Sequence, residues 1–371
     1  MTPQHFHSQR RTQPKSSPPK RPAPPQAAEY QFEAEIVPGL ELLARAELQR
    51  MPQVRLRDDG GQGRVRFQFE GELAVLRSLR LAQAVYLSQT HPVPRPRGLL
   101  GDAHWRRLMA QIEAARGLNH AQPFQSFSVA AAGSDSSVMQ RIRGAVSAAT
   151  RLADGGDKGD LLIRIRPAAG TLESGWETLV RLTPRPLATR EWRVCNFEGA
   201  LNATVAYAMG LLTDPQPDDT FLNAACGSGS ILIERQAIAP ARLLLGVDLE
   251  AEVLDCARRN IEASDANGLV RLCIGDIRTL PLPDGTVTAV CADLPFGQRV
   301  GSHQDNVATY PHMLRELARV TAPGTKCVLL THEIRLMDSL LRQQPFWSLE
   351  QSIQINLRGL HPRIYVLRRT R

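Results

Sequence analysis

The sequence predicts an α/β protein in which an α+β half precedes a C-terminal half built on a parallel sheet with an antiparallel edge pair. From Asp219 onward, short apolar strands alternate with helical stretches, which is the rhythm of a doubly wound sheet. Before that point, strands with alternating polar and apolar residues are separated by helices. A length of 371 residues is enough for two or three domains.

Five segments are expected along the chain. Residues 1–29 are basic, rich in proline and poor in apolar anchors, which predicts a disordered tail. Residues 30–97 are predicted to form an N-terminal α+β (ferredoxin-like) subdomain, and residues 98–186 a second α+β unit that begins after a Pro/Arg linker. Residues 187–218 are expected to be a linker followed by a helix, and residues 219–371 the parallel-sheet domain.

The elements of the N-terminal half follow from local periodicity. Alternation of apolar residues predicts strands, and spacing of three or four predicts helices. The predicted strands are 32–37, 64–69, 84–87, 124–130, 161–166 and 178–182, and the predicted helices are 40–48, 73–81, 105–115 and 136–152.

The C-terminal half contains five short apolar strands and a final pair. The five are 221–225, 243–247, 270–274, 287–292 and 326–330, and the pair is 352–356 and 363–369, about a Gly-Leu-His-Pro turn. In an open parallel sheet ligands bind at the carboxyl ends of the strands, so the residues that end these strands are the candidate site.

Charge is divided unequally between the two halves. Residues 1–200 carry 28 basic and 19 acidic side chains, a net charge of +9, whereas residues 201–371 carry 17 and 18, a net charge of −1. Because phosphate contacts dominate nucleic-acid affinity, a basic half joined to a neutral one suggests a polyanion partner and a small ligand. No apolar run approaches the roughly 18 residues of a membrane helix, and the first 28 residues lack the apolar core of a signal peptide.

The cysteines and histidines point to no metal site. Six cysteines are spaced too widely for a CxxC pair, so reduced, buried thiols and a cytoplasmic location are expected. The histidines lack the spacing of zinc ligands, and no metal is expected. His104 and Trp105 are interpreted as core or linker residues rather than as a base-stacking pair.

A glycine-rich turn follows the first strand of the C-terminal half, in the run Asn223–Glu234. Gly227 and Gly229 would let the backbone approach a ligand at a helix N-terminus. This pattern also suits a nicotinamide dinucleotide or tight packing, although the third glycine of the dinucleotide fingerprint is replaced by Leu232. Asp248 ends the second strand, where a carboxylate binds the hydroxyls of an adenosine ribose or caps the next helix.

Two further strands end in aspartates. Asp276 could accept the exocyclic amine of adenine or could simply close a turn. At the end of the fourth strand, the Asp293 carboxylate and the Leu294 carbonyl would accept both hydrogens of an exocyclic amine. Pro295 would stiffen this turn and Phe296 would stack on the base, an arrangement that favours amine methylation over hydride transfer.

With these motifs the chain resembles the class I S-adenosylmethionine-dependent methyltransferases fused to an N-terminal THUMP module, which act on the N2 of transfer RNA guanosine. The resemblance covers about residues 30–371 and implies a Rossmann-like class I methyltransferase sheet, a THUMP domain at residues 98–186, S-adenosylmethionine as methyl donor and transfer RNA as partner. It is nearest to the acceptor-stem branch, which modifies guanosine 6. By resemblance, the catalytic residues are Asp293, Leu294, Pro295 and Phe296, and the cofactor-binding residues are Asn223, Cys226, Gly227, Ser228, Gly229, Asp248, Leu249, Asp276 and Ile277.

Two positions depart from the family pattern. Asn223-Ala224 stands where many relatives have Asp-Pro, which would weaken the contact to the methionine amine of the cofactor. Residues 293–296 read Asp-Leu-Pro-Phe where most relatives have Asp-Pro-Pro-Tyr. The second change matters less, because the acceptor at position 294 is a backbone carbonyl.

Basic residues of the N-terminal half and one beside the catalytic turn are candidates for RNA binding. They are Arg141, Arg143, Arg181, Arg185, Arg190, Arg193 and Arg299. Alone, each of them is the pattern of an ordinary solvated surface, whereas together they would form a phosphate track. Arg299 lies three residues after the tetrapeptide and is therefore the expected contact near the target base.

Three other functions are compatible with parts of the sequence. The tetrapeptide would also serve methylation of ribosomal RNA guanine N2 or of adenine N6. A non-catalytic RNA-binding protein with a degenerate cofactor site would account for Asn223-Ala224. A nicotinamide oxidoreductase is the least favoured alternative, because this chain lacks the third glycine of the dinucleotide fingerprint and a catalytic Tyr-Lys or His-Asp pair. The expected oligomeric state is a monomer.

Overall fold

The computed structural model describes residues 30–57, 60–168, 175–197, 199–266, 268–295 and 303–370. The predicted disordered tail at 1–29 lies outside the described residues. No helix in these ranges has the length and apolar character needed to cross a bilayer. Within the same ranges, no three His, Cys, Asp or Glu side chains are grouped so that they could hold a metal ion.

The N-terminal half forms one eight-stranded sheet with the order β2-β3-β1-β4-β8-β7-β5-β6. Its elements are β1 Gln31–Ile36, α1 Glu41–Gln49, β2 Val54–Leu56, β3 Arg64–Phe69, β4 Ala82–His91, α2 Asp102–Leu118, β5 Ser126–Ala131, α3 Ser137–Thr150, β6 Ala153–Asp154, β7 Leu161–Pro167 and β8 Trp176–Arg181. Antiparallel pairing of β4 with β8 joins the strands of segment 30–97 to those of segment 98–186. The boundary between these two segments stays a prediction.

The C-terminal half forms a seven-stranded sheet with the order β11-β10-β9-β12-β13-β15-β14. Its elements are α4 Ala203–Leu212, β9 Thr220–Ala224, α5 Ser230–Gln236, β10 Leu243–Asp248, α6 Ala251–Glu262, β11 Val270–Ile274, β12 Val287–Asp293, α7 His303–Val320, β13 Thr321–Thr331, α8 Ile334–Gln343, β14 Trp347–Gln354 and β15 Arg363–Arg369. The first five strands in this order are parallel, and β15 runs antiparallel to both β13 and β14. The predicted parallel sheet with an antiparallel edge pair is confirmed.

One predicted helix is wrong. The segment 73–81 forms only a short 3₁₀ turn, Leu73–Ser78, and extended chain follows it. Leu76 and Leu79 are buried by this turn, and β4 begins at Ala82, so little chain is left for a full helix. The sequence does not predict strands β2 and β6, because runs of three and two residues are too short for an alternating pattern.

The two halves share a buried boundary. A continuous set of buried apolar residues includes Leu48 and Leu81 from the first half and Ala206 and Ile364 from the second. The carboxylate of Glu234 on α5 is fully buried. It accepts hydrogen bonds from Arg190 Nε at 2.9 Å and from Arg80 Nη1 at 3.3 and 3.4 Å. We call these three residues the Glu234 cluster.

A second seam lies at the other end of the C-terminal half. The amide of Asn356 donates to the carbonyl of Pro38 at 2.9 Å. Beside it, a Cβ added to Gly39 would meet the carbonyl oxygen of Gln354 at 2.2 Å. Only glycine therefore fits where α1 approaches the end of β14.

The expectation of six reduced, buried thiols is wrong for three cysteines. Cys195 and Cys256 form a disulfide, with a Cα–Cα distance of 5.4 Å and a sequence separation of 61 residues. Cys273 is exposed, whereas the thiols of Cys226, Cys291 and Cys327 are free and buried as expected. The pair shows no sequence signature, because folding of the linker onto α6 is what brings the two cysteines together.

Candidate functional site

The glycine-rich turn joins β9 to α5 through left-handed backbone. Ala225, Gly227 and Gly229 have φ angles of 53°, 54° and 77°, a conformation in which glycine is favoured. A Cβ added to Gly229 would lie 3.4 Å from the Cβ of Ala257, so α6 packs closely against the turn. Cys226 and Ser228 are buried within it. The turn therefore carries a backbone that a ligand can approach at the N-terminus of a helix.

Asp248 faces this turn. Its Oδ2 accepts the backbone N–H of Gly227 at 2.8 Å, and its Oδ1 lies 3.4 Å from the amide of Glu250. Glu250, not Asp248, occupies the N-cap position of α6. The neighbouring Leu249 is 65% exposed, an unusual state for a large apolar side chain at a strand end. Asp248 thus lies at the carboxyl edge of the sheet, against the glycine turn, and is not the N-cap of α6; its role in binding a ribose stays a prediction.

Asp276 closes its own turn. Its carboxylate accepts hydrogen bonds from the backbone and the guanidinium of Arg278, and its carbonyl accepts the amide of Thr279. The hydrogen bonds from Arg278 lower the pKa of the Asp276 carboxyl. Ile277 packs against the core of the second half. The alternative in which Asp276 closes a turn is thus realised, and the turn lies at the end of β11, beside the carboxyl end of β10.

Two buried acceptor atoms without partners lie on adjacent strands. Oδ1 of Asn223 on β9 and Oδ1 of Asp293 on β12 are both buried and make no hydrogen bond within the described residues. In the parallel register Asn223 is opposite Cys291, two residues before Asp293, and its Nδ2 donates to the Cys291 carbonyl at 3.0 Å. Burial raises the pKa of Asp293 to about 8. Buried acceptors are normally satisfied, so this pair indicates a place for a ligand that donates hydrogen bonds.

The chain at the end of β12 is fixed by hydrogen bonds to β13 and α7. We call residues 293–295 the acceptor turn. The buried Leu294 donates its amide to the Leu330 carbonyl at 2.9 Å. The carbonyl of Pro295 accepts hydrogen bonds from Asn306 Nδ2 at 3.1 Å and from the hydroxyl of Tyr310 at 3.0 Å. Phe296, the predicted stacking residue, lies outside the described residues.

Comparison with known proteins matches this part of the chain to a protein family. Residues 190–363 match the model of the family UPF0020, described as an RMKL-like methyltransferase domain. The segment that matches is slightly less than half of the chain. It contains the glycine turn, Asp248, Asp276 and the acceptor turn.

Two curated relatives and one solved structure are also similar to the chain. The tRNA (guanine(6)-N(2))-methyltransferase THUMP3 of Bos taurus is 34% identical over 183 residues, which are 46% of this chain and 36% of that protein. The tRNA (guanine(6)-N2)-methyltransferase of Thermus thermophilus is 31% identical over 191 residues, 51% of this chain and 55% of that protein. The crystal structure of TrmN from Thermus thermophilus has a TM-score of 0.71 at 24% identity and covers 92% of this chain and 100% of that chain.

These similarities differ in what they cover. The chain spans roughly a third to a half of the length of the curated relatives. The solved structure shares the fold over nearly the whole chain, including the part that precedes residue 190.

The predicted RNA-binding arginines occupy three kinds of environment. Arg141 on α3 and Arg185 after β8 are exposed, whereas Arg143 is half-buried and donates to the Val129 carbonyl at 3.3 Å. The guanidinium of Arg181 is bound to backbone carbonyls around residues 160–184. Arg190 lies in the Glu234 cluster. Arg193 binds the Leu201 carbonyl and Ser230 Oγ beside the glycine turn, and Arg299 lies outside the described residues.

The structure adds residues to the site that no motif marked. Asn260 of α6 accepts the backbone N–H of Cys195 and donates to the carbonyls of Cys195 and Ser228, so it holds the linker against the glycine turn. Asn306 and Tyr310 lie at an interval of four on α7 and are almost fully buried. In the sequence, the signal for these two residues is an asparagine and a tyrosine four positions apart on a predicted helix face, and that pattern also suits an ordinary core.

Proposed function

We propose that this protein transfers a methyl group from S-adenosylmethionine to the exocyclic N2 of a guanosine in transfer RNA, at position 6 of the acceptor stem. The observation that carries the proposal is the buried, unpartnered Oδ1 of Asp293 at the end of β12, beside the glycine turn. Both curated relatives reported above carry this activity in their names.

The residues present fit this methyl donor. The left-handed glycine turn gives the backbone room for the methionine part, and Asn223 Oδ1 is a free acceptor for its amine. Asp248 would accept the ribose hydroxyls, and Leu249 and Ile277 would flank the adenine, with Asp276 near its amine. When bound, the donor supplies an electrophilic methyl group on a sulfonium sulfur.

The acceptor turn would orient the guanine amine. The Asp293 carboxylate and the Leu294 carbonyl accept its two N–H bonds, so the nitrogen lone pair is turned toward the methyl carbon. As the new N–C bond forms, the C–S bond breaks and S-adenosylhomocysteine leaves. The surplus proton of the nitrogen passes to Asp293 or to water. Phe296 is proposed to stack on the base.

The N-terminal half is proposed to hold the RNA, with segment 98–186 as the THUMP domain. Its excess of positive charge supports this role. Arg141 and Arg185 are the phosphate contacts that we favour, because their side chains are exposed. Arg181, Arg190 and Arg193 would act indirectly, since their guanidinium groups bind the protein itself. We further propose that the protein acts as a monomer in the cytoplasm, where transfer RNA is its substrate.

The test is transfer of labelled methyl from S-adenosylmethionine to unmodified transfer RNA, followed by nuclease digestion and mass spectrometry of the nucleosides. Label in N2-methylguanosine is expected. Label in N6-methyladenosine would show that the target base is adenine and not guanine. Asp293→Ala should abolish transfer while RNA binding is retained. Asp255→Asn, an exposed carboxylate on α6, is the matched control and should leave transfer unchanged. Undiminished turnover in Asp293→Ala would refute the catalytic assignment.

A further inference from the structure

An open cleft lies beside the acceptor turn, between the N-terminal ends of α7 and α8. His303 and Val307 of α7 form one wall, and residues 332–336 form the other. Its volume is about 620 Å³, which is large enough for a nucleobase and its sugar. None of the cofactor-binding residues proposed above lines this cleft.

Glu333 connects this cleft to the acceptor turn by two routes. Its backbone amide donates to Thr331 Oγ1 at 2.9 Å, and this hydroxyl is 2.9 Å from the Tyr310 hydroxyl, which binds the Pro295 carbonyl. Its Oε1 lies 3.5 Å from Asn306 Nδ2, which also donates to the Pro295 carbonyl. The carboxylate is therefore one side chain away from the acceptor turn.

The carboxylate of Glu333 is fixed in position and still has acceptor capacity for further hydrogen bonds. Glu333 occupies the N-cap position of α8, but its side chain makes no capping hydrogen bond. Its Oε2 instead binds His303 Nδ1 at 2.9 Å, and the side chain is only 17% exposed. A carboxylate offers about four lone-pair positions, so acceptor capacity remains for a ligand in the cleft.

We infer that Glu333 is the residue that distinguishes guanine from adenine, by accepting the N1–H of the target base. This inference rests on the proposed function. Guanine carries N1–H next to its N2 amine, so a base whose amine lies on the acceptor turn presents a second donor to the neighbouring wall. Adenine has a bare lone pair at N1, which a fixed carboxylate repels. Glu333 thus selects the base, while Asp293 and Leu294 orient the amine.

The experiment compares two transfer RNAs that differ at the methylated position, one with guanosine and one with 2-aminopurine, which keeps the N2 amine but lacks N1–H. Wild type is expected to prefer guanosine in kcat/KM. In Glu333→Gln this preference should shrink by about ten- to a hundredfold, because the charged acceptor of N1–H becomes a neutral amide whose NH₂ can also donate to the bare N1 of 2-aminopurine. Because both substrates are measured on one protein sample, the fraction of folded protein cancels from the ratio.

The matched control is Glu350→Gln, a carboxylate on β14 paired with Arg368 and outside the cleft. It should keep the wild-type preference. The same preference in Glu333→Gln as in wild type would overturn the inference, since the contribution of the base's O6 is identical in both proteins and cancels in the cycle. Absence of methyl transfer to guanosine in wild type would instead refute the proposed function.

Discussion

Replacement of Asp293 by asparagine should change how stability depends on pH. Burial raises the pKa of Asp293 to about 8, far above the ordinary value of 3.8. Between these values the folded protein holds a proton that the unfolded chain has released. The stabilising contribution of this group is therefore complete below about pH 4 and is lost as pH rises through 8. The side-chain amide of the variant does not titrate, so the variant lacks this dependence.

The size of the effect follows from the shift. Each pH unit within the window corresponds to about 1.4 kcal/mol, and the shift from 3.8 to about 8 therefore gives at most about 6 kcal/mol. The residue keeps some contact with solvent, which makes this figure an upper bound. Relative to wild type, Asp293→Asn should gain stability steadily from pH 5 to pH 8.

Chemical denaturation of both proteins at pH 5, 6, 7 and 8 measures this difference. Because all other groups titrate in both proteins, their contributions cancel. The wild-type kcat/KM for methyl transfer should also rise with pH through about 8 and level off about one pH unit above it, since the ionised carboxylate is the form that accepts the amine. A difference in unfolding free energy between the two proteins that stays constant from pH 5 to pH 8 would refute the raised pKa and with it the buried, unpartnered state of Asp293.

Three further substitutions probe the cofactor turn, the boundary and the disulfide. Asp248→Ala should weaken S-adenosylmethionine binding by about ten- to a hundredfold, measured by calorimetry, because hydrogen bonds from the ribose to a charged acceptor are lost. Glu234→Ala should lower the free energy of unfolding by about 3–5 kcal/mol in denaturant titration, because the buried guanidinium of Arg190 loses its partner. Cys195→Ser should lower it by about 3–4 kcal/mol under non-reducing conditions, because the 61-residue loop closed with Cys256 is released.

Each of these substitutions has a control on the same chain. Asp255→Ala should leave cofactor binding unchanged, Glu350→Ala should alter stability by no more than about 1 kcal/mol, and Cys273→Ser should have no effect that depends on reductant. Cofactor affinity equal to wild type in Asp248→Ala would remove that residue from the pocket. A Glu234→Ala variant as stable as its control would show that the cluster contributes little. Equal stability of Cys195→Ser and wild type would contradict the disulfide.

The sequence predicts the sheet well because its strands are short apolar runs bounded by turn residues. The carboxyl ends of β9, β10 and β12 can be placed from Asn223, Asp248 and Asp293, since each lies at the end of such a run. The 3₁₀ turn at Leu73–Ser78 resembles a helix in sequence because both structures bury residues three apart. Local periodicity cannot show how many residues must remain extended to reach the start of the next strand.

The roles of charged residues are harder to predict. Arg190 and Arg141 look alike in sequence, yet one is buried against Glu234 and the other is exposed. The difference comes from a carboxylate 44 residues away, which no local pattern reveals. Similarly, Asn306 and Glu333 belong to the site only because α7 and α8 begin next to the same strand ends.

The two seams between the halves limit how such a protein can be recombined. A chimera joined near residue 187 would keep Glu234 and Arg190 but would place another protein's residue at the position of Arg80. The buried carboxylate of Glu234 would then have lost one of the two guanidinium groups that bind it. The graft would also need a glycine at the position of Gly39, because any other residue collides with the backbone at Gln354. Exchange of N-terminal halves between relatives would therefore require matched changes at both seams, so the two halves should be inherited together.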